Sequence, residues 1–184
     1  MYNKKIARRY TASIYGPAKE LNIADAVRKD FILIKNTIES SRDLKLFLSS
    51  PVISTEKKKA VFKVIFKNKL DGLTLSFIEL VFNKNRENLL YDISSDFLEL
   101  YNERSGIIEA KIKTAIELSA DEKKNITGKL TQYTGKKIEA SYTIDPDIKG
   151  GFIARVEDTI IDASIRRQLE LLYENFKKGS FKNN

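Results

Sequence analysis

Ile144-Asp-Pro-Asp-Ile-Lys-Gly150-Gly-Phe-Ile-Ala-Arg155-Val-Glu-Asp-Thr-Ile160-Ile-Asp-Ala-Ser-Ile165-Arg-Arg-Gln-Leu169 is the stretch whose reading decides the fold. Asp145-Pro146-Asp147 predicts a turn, because proline fixes φ and aspartate bonds to nearby backbone. Gly150-Gly151 predicts a bulge or a backbone approach too close for a side chain. Phe152, Ala154 and Val156 alternate with Ile153, Arg155 and Glu157, the period of a strand with one buried face. Asp158-Thr159 reverses the chain, and Thr159-Ile160-Ile161 returns as a short second strand. Ser164 caps a helix that carries Ile165, Leu169, Leu172 and Phe176 on one face. Nothing in the stretch has the makings of a reaction centre.

Outward from it, the same logic accounts for the residues after Ser105. Ile108, Ala110, Ile112, Thr114 and Ile116 share one side of a strand, with Glu109, Lys111 and Lys113 between them. Ser119-Ala120-Asp121-Glu122 is a capping box. The helix it opens runs to about Tyr133, where Thr134-Gly135 stops it. Ile138, Ala140, Tyr142 and Ile144 alternate as a second strand. The order is strand, helix, strand, hairpin, helix, closed by a polar tail from Lys177 to Asn184.

Before Ser105 the period is helical throughout. Ile6, Tyr10, Ile14, Ala18 and Leu21 mark the first helix. Asn22 is read as the cap of a second, with Ile23, Ala26, Phe31, Ile34 and Ile38 as its apolar side. Leu44, Phe47 and Leu48 form a short third, ended by Ser49-Ser50-Pro51. Ser54 or Thr55 caps a fourth, read with Val61, Val64 and Ile65 inward and Phe62 and Phe66 at the edge. Leu73, Phe77, Ile78 and Val81 carry a fifth after the Asp71-Gly72 turn. Leu90, Ile93, Phe97, Leu100 and Tyr101 carry a sixth. The fold class is therefore two domains, an all-α six-helix bundle over 1–105 and a small α+β domain over 106–184.

Composition excludes much chemistry. The 184 residues hold no cysteine, no histidine and no tryptophan. Disulfides, thiol nucleophiles and thiolate metal sites are excluded, and the commonest general base near neutral pH is missing. The net charge of +8 is uneven: 19 basic and 13 acidic residues to Ser105, then 14 and 12. Such a chain suits acidic protein surfaces, anionic lipid or nucleic acid. No apolar run approaches the roughly 18 residues that span a bilayer. No apolar core follows Lys4, Lys5, Arg8 and Arg9, so no secretory signal is read. Residues 1–19 lack acids, as transit peptides do, but they form a patterned helix; a cytoplasmic protein is expected.

Three chemical readings compete with structural ones. Gly150-Gly151 lacks the spacing and the Gly-Lys-Ser/Thr ending of a phosphate loop. Asp145, Asp147, Asp158 and Asp162 could serve a carboxylate-based hydrolase, but all fall at turns or strand ends where aspartate bonds backbone. Arg8-Arg9, Lys57-Lys58-Lys59, Lys63, Lys67 and Lys69 form the strongest basic surface. Its aromatic neighbours fall on helical core stripes, which disfavours nucleic acid and leaves an acidic partner or a solvated face.

With these residues placed, the chain resembles the delta subunit family of the F-type ATP synthase, whose mitochondrial member is the oligomycin-sensitivity-conferring protein. The likeness spans Ile6 to about Phe176. It rests on Ala7-Arg8-Arg9-Tyr10 with Ala12, on Asn85-Arg86 followed by Leu89-Leu90, and on Thr114-Ala115-Ile116-Glu117-Leu118-Ser119. The fourth element is Asp145-Pro146 through Gly150-Gly151-Phe152, then Asp158 to Ile165 and Leu169. Two positions depart from the pattern: Ala163 stands where glycine is usual, and Lys84 where the family often has a smaller or acidic residue.

The resemblance implies a non-catalytic stator subunit. It links the catalytic head to the membrane sector and resists rotor torque, without cofactor, metal, nucleic acid or transmembrane segment. It implies a place on the cytoplasmic face of the bacterial inner membrane, peripheral through the complex. It implies that the N-terminal helix of an alpha subunit lies between the first and fifth helices. The matching positions are Tyr10, Ile14 and Tyr15 on the first and Phe77, Leu80 and Val81 on the fifth. Phe77 reads as core, whereas Tyr15 and Leu80 lie off the inner stripes. For the b subunits of the peripheral stalk it implies Ile165, Leu169 and Leu172. A basic nucleic-acid-binding module is the alternative that charge alone supports.

Overall fold

Helical spacing governs the chain as far as Ser105, and a computed structural model shows what it builds. The structure describes residues 2–179, with side chains for residues 4–177. The helices are α1 (Tyr2–Glu20), α2 (Ala24–Ser40), α3 (Arg42–Ser49), α4 (Thr55–Ile65), α5 (Gly72–Asn83) and α6 (Leu90–Ser105). A single 3-10 turn, Glu87–Leu89, leads into α6. The chain divides between Arg104 and Ser105 into two compact units.

Aromatic rings organise the first unit. Phe31 of α2 stacks on Phe97 of α6 at 4.4 Å, and meets Phe77 of α5 edge-on at 6.0 Å. Tyr10 of α1 meets Phe77 from one side, and Tyr15 of α1 meets Phe97 from the other. A separate trio, Phe62, Phe66 and Phe82, joins α4 to α5. Aromatic side chains bury large areas, so they dominate the choice of inward face.

That choice corrects three sequence expectations. On α1 the buried line is Ala7, Thr11, Ile14 and Ala18; Ile6 and Tyr10 are half-buried and Leu21 is exposed. Small residues let the helix backbone approach its neighbours, and Thr11 donates to the buried Asp96 carboxylate at 2.5 Å. On α4 the inward line is Lys58, Phe62 and Phe66, and Val61 and Val64 face out. The valines lose because two rings one turn apart bury more surface. Asn22 does not cap α2. It sits at φ 57° in the left-handed region just past α1, where asparagine is tolerated, and Ile23 precedes α2.

Charged groups are buried in this unit only with partners. Lys58 and Glu87 pair at 2.7 Å with both side chains almost fully buried. Asp30 accepts from the Asp71 backbone N–H at 2.8 Å, while Asp71 caps α5 by accepting from Leu73 N–H. Thus α2 positions the start of α5.

The second unit begins with β1 (Ile107–Thr114), α7 (Ala120–Thr134) and β2 (Lys137–Ile144). It continues through a 3-10 turn, Pro146–Ile148, to β3 (Phe152–Val156), β4 (Thr159–Asp162) and α8 (Ile165–Gly179). The sheet order is β2-β1-β3-β4. β1 and β2 are parallel, with α7 as the crossover that such pairing requires. β3 runs antiparallel to both β1 and β4. Ile108, Ala110 and Ile112 pack with Ile138, Ala154, Val156 and Leu130 of α7. The Ser119–Glu122 capping box starts α7, and Gly135 ends it at φ 69°.

Three expectations shift here. Ile116 lies beyond β1 and is exposed. The tight reversal is one residue earlier than Asp158-Thr159, with Glu157 taking the positive φ. Lys177 belongs to α8 rather than to a frayed tail, and residues 180–184 lie outside the described residues.

Candidate partner-binding surfaces

On α5, Leu73, Phe77 and Leu80 follow the i, i+4, i+7 spacing of one helix face. Phe77 meets Tyr10 of α1 at 6.3 Å, edge to face. Leu80 is 46% exposed, while Ile14 and Val81 are fully buried beneath. One turn before Tyr10, Ile6 is half-buried, as Leu73 is one turn before Phe77. The surface offered between α1 and α5 is therefore Ile6, Tyr10, Leu73 and Leu80, floored by Phe77. Ile6 and Leu73 were legible as stripe residues; their place at the groove edge follows from the one-turn spacing.

Tyr15 is not in this groove. It packs against Phe97 at 6.2 Å, on the α6 side of α1. That flank is polar: Arg8 bonds Glu103 at 2.8 Å and lies 3.7 Å from Asp96. The Arg8 guanidinium is held above its ordinary pKa first by the hydrogen bond to Glu103, with the charges of Asp96, Glu103 and Glu99 adding to it.

In the second unit the candidate residues lie on α8. Ser164 caps it, accepting from Arg167 N–H. Asp162 accepts from Ser164 N–H at 2.9 Å, and this bonding to Ser164 holds its carboxyl below the usual range. Gly150 and Gly151 bring the preceding loop against this start. A Cβ on Gly151 would stand 2.3 Å from the Ala163 carbonyl oxygen, the close approach read from the sequence. From its first residue onward α8 presents its apolar stripe to solvent. Ile165, Leu169, Leu172 and Phe176 are all exposed, Leu169 by 60% and Phe176 by 73%.

Of the four turn aspartates, Asp145 and Asp162 accept from backbone N–H groups two residues on. Asp145 bonds Lys113 Nζ at 2.9 Å and accepts from Asp147 N–H; the first of these contacts leads in lowering its pKa. Glu122 is lowered by bonds from the Ser119 hydroxyl and backbone. Among the described residues no group of three or more acidic side chains is placed to hold a metal. Carboxyls with lowered folded pKa values stabilise fully above the ordinary carboxylate pKa of about 4 and lose that contribution as pH falls below it. Acidification below about pH 4 is therefore expected to lower the melting temperature of the second unit. Asp162→Asn is expected to flatten that slope in pH-dependent thermal melts, and an unaltered slope would argue against the Asp162–Ser164 bond as its source.

A helical unit and an α+β unit, each with apolar side chains left exposed on one helix, define a two-unit protein without a visible reaction centre. The model of the ATP synthase delta (OSCP) subunit family matches residues 6–176. The ATP synthase subunit delta of Chlorobaculum tepidum is 39% identical over 166 residues, covering 90% of this chain and 92% of that protein. That of Desulforudis audaxviator is 36% identical over 178 residues, covering 97% and 98%. A chain in the cryo-EM structure of the Toxoplasma gondii mitochondrial ATP synthase hexamer shares the fold, with a TM-score of 0.62 at 17% identity. It covers 92% of this chain and 96% of that one.

The chain therefore belongs to the ATP synthase delta (OSCP) subunit family. It is a non-catalytic stator subunit of the F-type ATP synthase, acting in ATP synthesis and proton transport as part of that complex. Membership decides for the stator over the basic nucleic-acid module. Among the described residues no helix is long and apolar enough to cross a membrane.

Proposed function

We propose that the first unit receives the amphipathic N-terminal helix of an alpha subunit in the α1–α5 groove, and that α8 docks the C-terminal ends of the b subunits. The chain then ties the catalytic head to the membrane sector at the cytoplasmic face of the bacterial inner membrane, held there through the complex. One observation supports this reading: each unit leaves apolar surface uncovered by its own fold, Tyr10 with Leu80 between α1 and α5 in the first and Leu169 with Leu172 in the second. Two separate grips suit a part that must bear torque without bond chemistry.

The test is a crossed pair of variants. Leu80→Asp is expected to weaken binding of a peptide from the N-terminus of an alpha subunit about tenfold to a hundredfold, the worth of one buried leucine anchor. It should leave unchanged the binding of a fragment taken from the C-terminal end of a b subunit. Leu169→Asp with Leu172→Asp should do the reverse. Both changes are at exposed sites, so unfolding midpoints should hardly move. Retention of both partners by both variants would refute the assignment.

A further inference from the structure

Helix α5 is apolar on two flanks, and the α1 groove uses only one. Its sequence, Gly-Leu-Thr-Leu-Ser-Phe-Ile-Glu-Leu-Val-Phe-Asn, carries a single charge. Such a helix belongs in an interior, yet Leu75 on the α4 side remains partly exposed, as Leu80 does on the other. Between α4 and α5 lies an open cleft of about 290 Å³, walled by Phe62, Phe66, Leu75, Ile78 and Phe82. The rings of Phe62 and Phe66 lie 4.4 Å apart, and Phe62 meets Phe82 at 5.5 Å, so the wall is preformed.

The rim is charged on one side. Lys59, Lys63 and Lys67 line it, and Glu79 is the only acid among the lining residues. Lys63 and Lys59 reach Glu79 at 2.7 and 3.4 Å, bridging from α4 to α5. Lys67 has no acidic partner among the described residues. The rim therefore keeps an excess of positive charge around an aromatic floor. Lys59 and Lys63 lie one turn apart on α4, about 6 Å at the helical rise, and Lys67 follows in the turn just past the helix, which leaves room for docked-helix anchors at i, i+3 or i+4, and i+7.

We propose that this cleft is a second docking groove on the helical unit, and that its occupant is an amphipathic helix with an acidic flank. Incoming carboxylates take Lys63 and Lys59 from Glu79 and pair with Lys67, while apolar anchors cover Phe62, Phe66 and Leu75. Charge selects the partner and the aromatic floor holds it. The two grooves share α5 but present different residues, so both can be filled at once.

The full chain lacks tryptophan, so a tryptophan- or dye-labelled probe reports binding without background. The probe is a designed amphipathic peptide of about 15 residues with a Leu/Phe stripe and glutamate flanks, compared at low salt with a twin carrying lysine flanks. The acidic peptide should bind saturably and the basic twin at least about tenfold more weakly. Lys63→Glu with Lys67→Glu should cost the acidic peptide about tenfold or more, and Glu79→Gln, which frees two lysines, should tighten it severalfold. Leu80→Asp should leave its affinity unchanged. Equal binding of the two peptides, or indifference to the lysine reversals, overturns the proposal. Loss of the acidic peptide in Leu80→Asp also overturns it, by placing the peptide in the α1–α5 groove. So does binding only to vesicles of anionic phospholipid with the same lysine dependence. Failure of the peptide from the alpha subunit to bind would bear on the α1–α5 reading and not on this cleft.

Discussion

Lys58→Met is expected to destabilise the helical unit by about 3–5 kcal/mol, among the largest effects of any single change in the chain. Lys58 lies on the inward face of α4 and its ammonium meets Glu87 Oε1 at 2.7 Å, with both side chains nearly sealed from solvent. The other carboxylate oxygen, Glu87 Oε2, has no hydrogen-bond partner in the structure. Removing the lysine leaves a buried carboxylate with neither solvent nor counter-charge, and that desolvation cost falls wholly on the folded state. The pair itself is worth less than its breakage. Lys58→Met with Glu87→Leu should therefore recover most of the loss, because an apolar couple of similar volume needs no hydration. Urea titration of the single and double variants measures both. A double variant as unstable as the single one would show that the loss comes from the pair itself and not from a stranded carboxylate. Thr55, which donates to Asn85 at 2.9 Å, is the second tether at that junction and should tolerate loss far better, because that bond is exposed to solvent.

That pair also marks the limit of what the sequence discloses. Local signals were readable because their physics is local. The Ser119–Glu122 box, the Asp145-Pro146 turn, the paired glycines and the Ser164 cap each depend on residues within a few positions. The α6 line of Leu90, Ile93, Phe97, Leu100 and Tyr101 is buried as its spacing predicts. Faces that depend on distant partners were not readable. Lys58 looks like one of three surface lysines until Glu87, 29 positions away, is brought against it. Ala7 and Thr11 carry little hydrophobic signal, yet they are the residues small enough for α1 to seat closely, and Thr11 answers Asp96 across 85 positions. The same limit hides which ring Tyr15 meets, since rotation about α1 decides between Phe77 and Phe97 as neighbour. For α8 the amphipathic pattern was plain, but a pattern does not say whether the covering partner is in the same chain. The structure adds only that Leu169 and Phe176 are exposed.

Gly151→Ala is expected to cost the second unit about 3 kcal/mol and to dislodge α8 while leaving the helical unit intact. Two independent terms add. Gly151 sits at φ 77°, where an L side chain is strained by about 1–2 kcal/mol. Its Cβ would also stand 2.3 Å from the Ala163 carbonyl oxygen and 3.0 Å from Ser164 Cα, both backbone atoms that no rotamer change can move aside. The segments that must part are joined by Ala163 N–H to Phe152 oxygen at 2.9 Å and Ile165 N–H to Gly150 oxygen at 3.1 Å. Both bonds anchor the first turn of α8. Gly150→Ala is the internal control. Its Cβ meets Ile165 Cδ1, the far end of a side chain that can rotate away, so a cost nearer 1–2 kcal/mol is expected. Hydrogen exchange on the full chain separates the outcomes. Protection should fall across 150–176 in Gly151→Ala while α2 and α6 stay protected, and binding of the fragment from the b subunits should fall with it. Native protection in Gly151→Ala would mean that the close backbone approach does not set the position of α8, and that the bare helix is held by something other than the glycine pair.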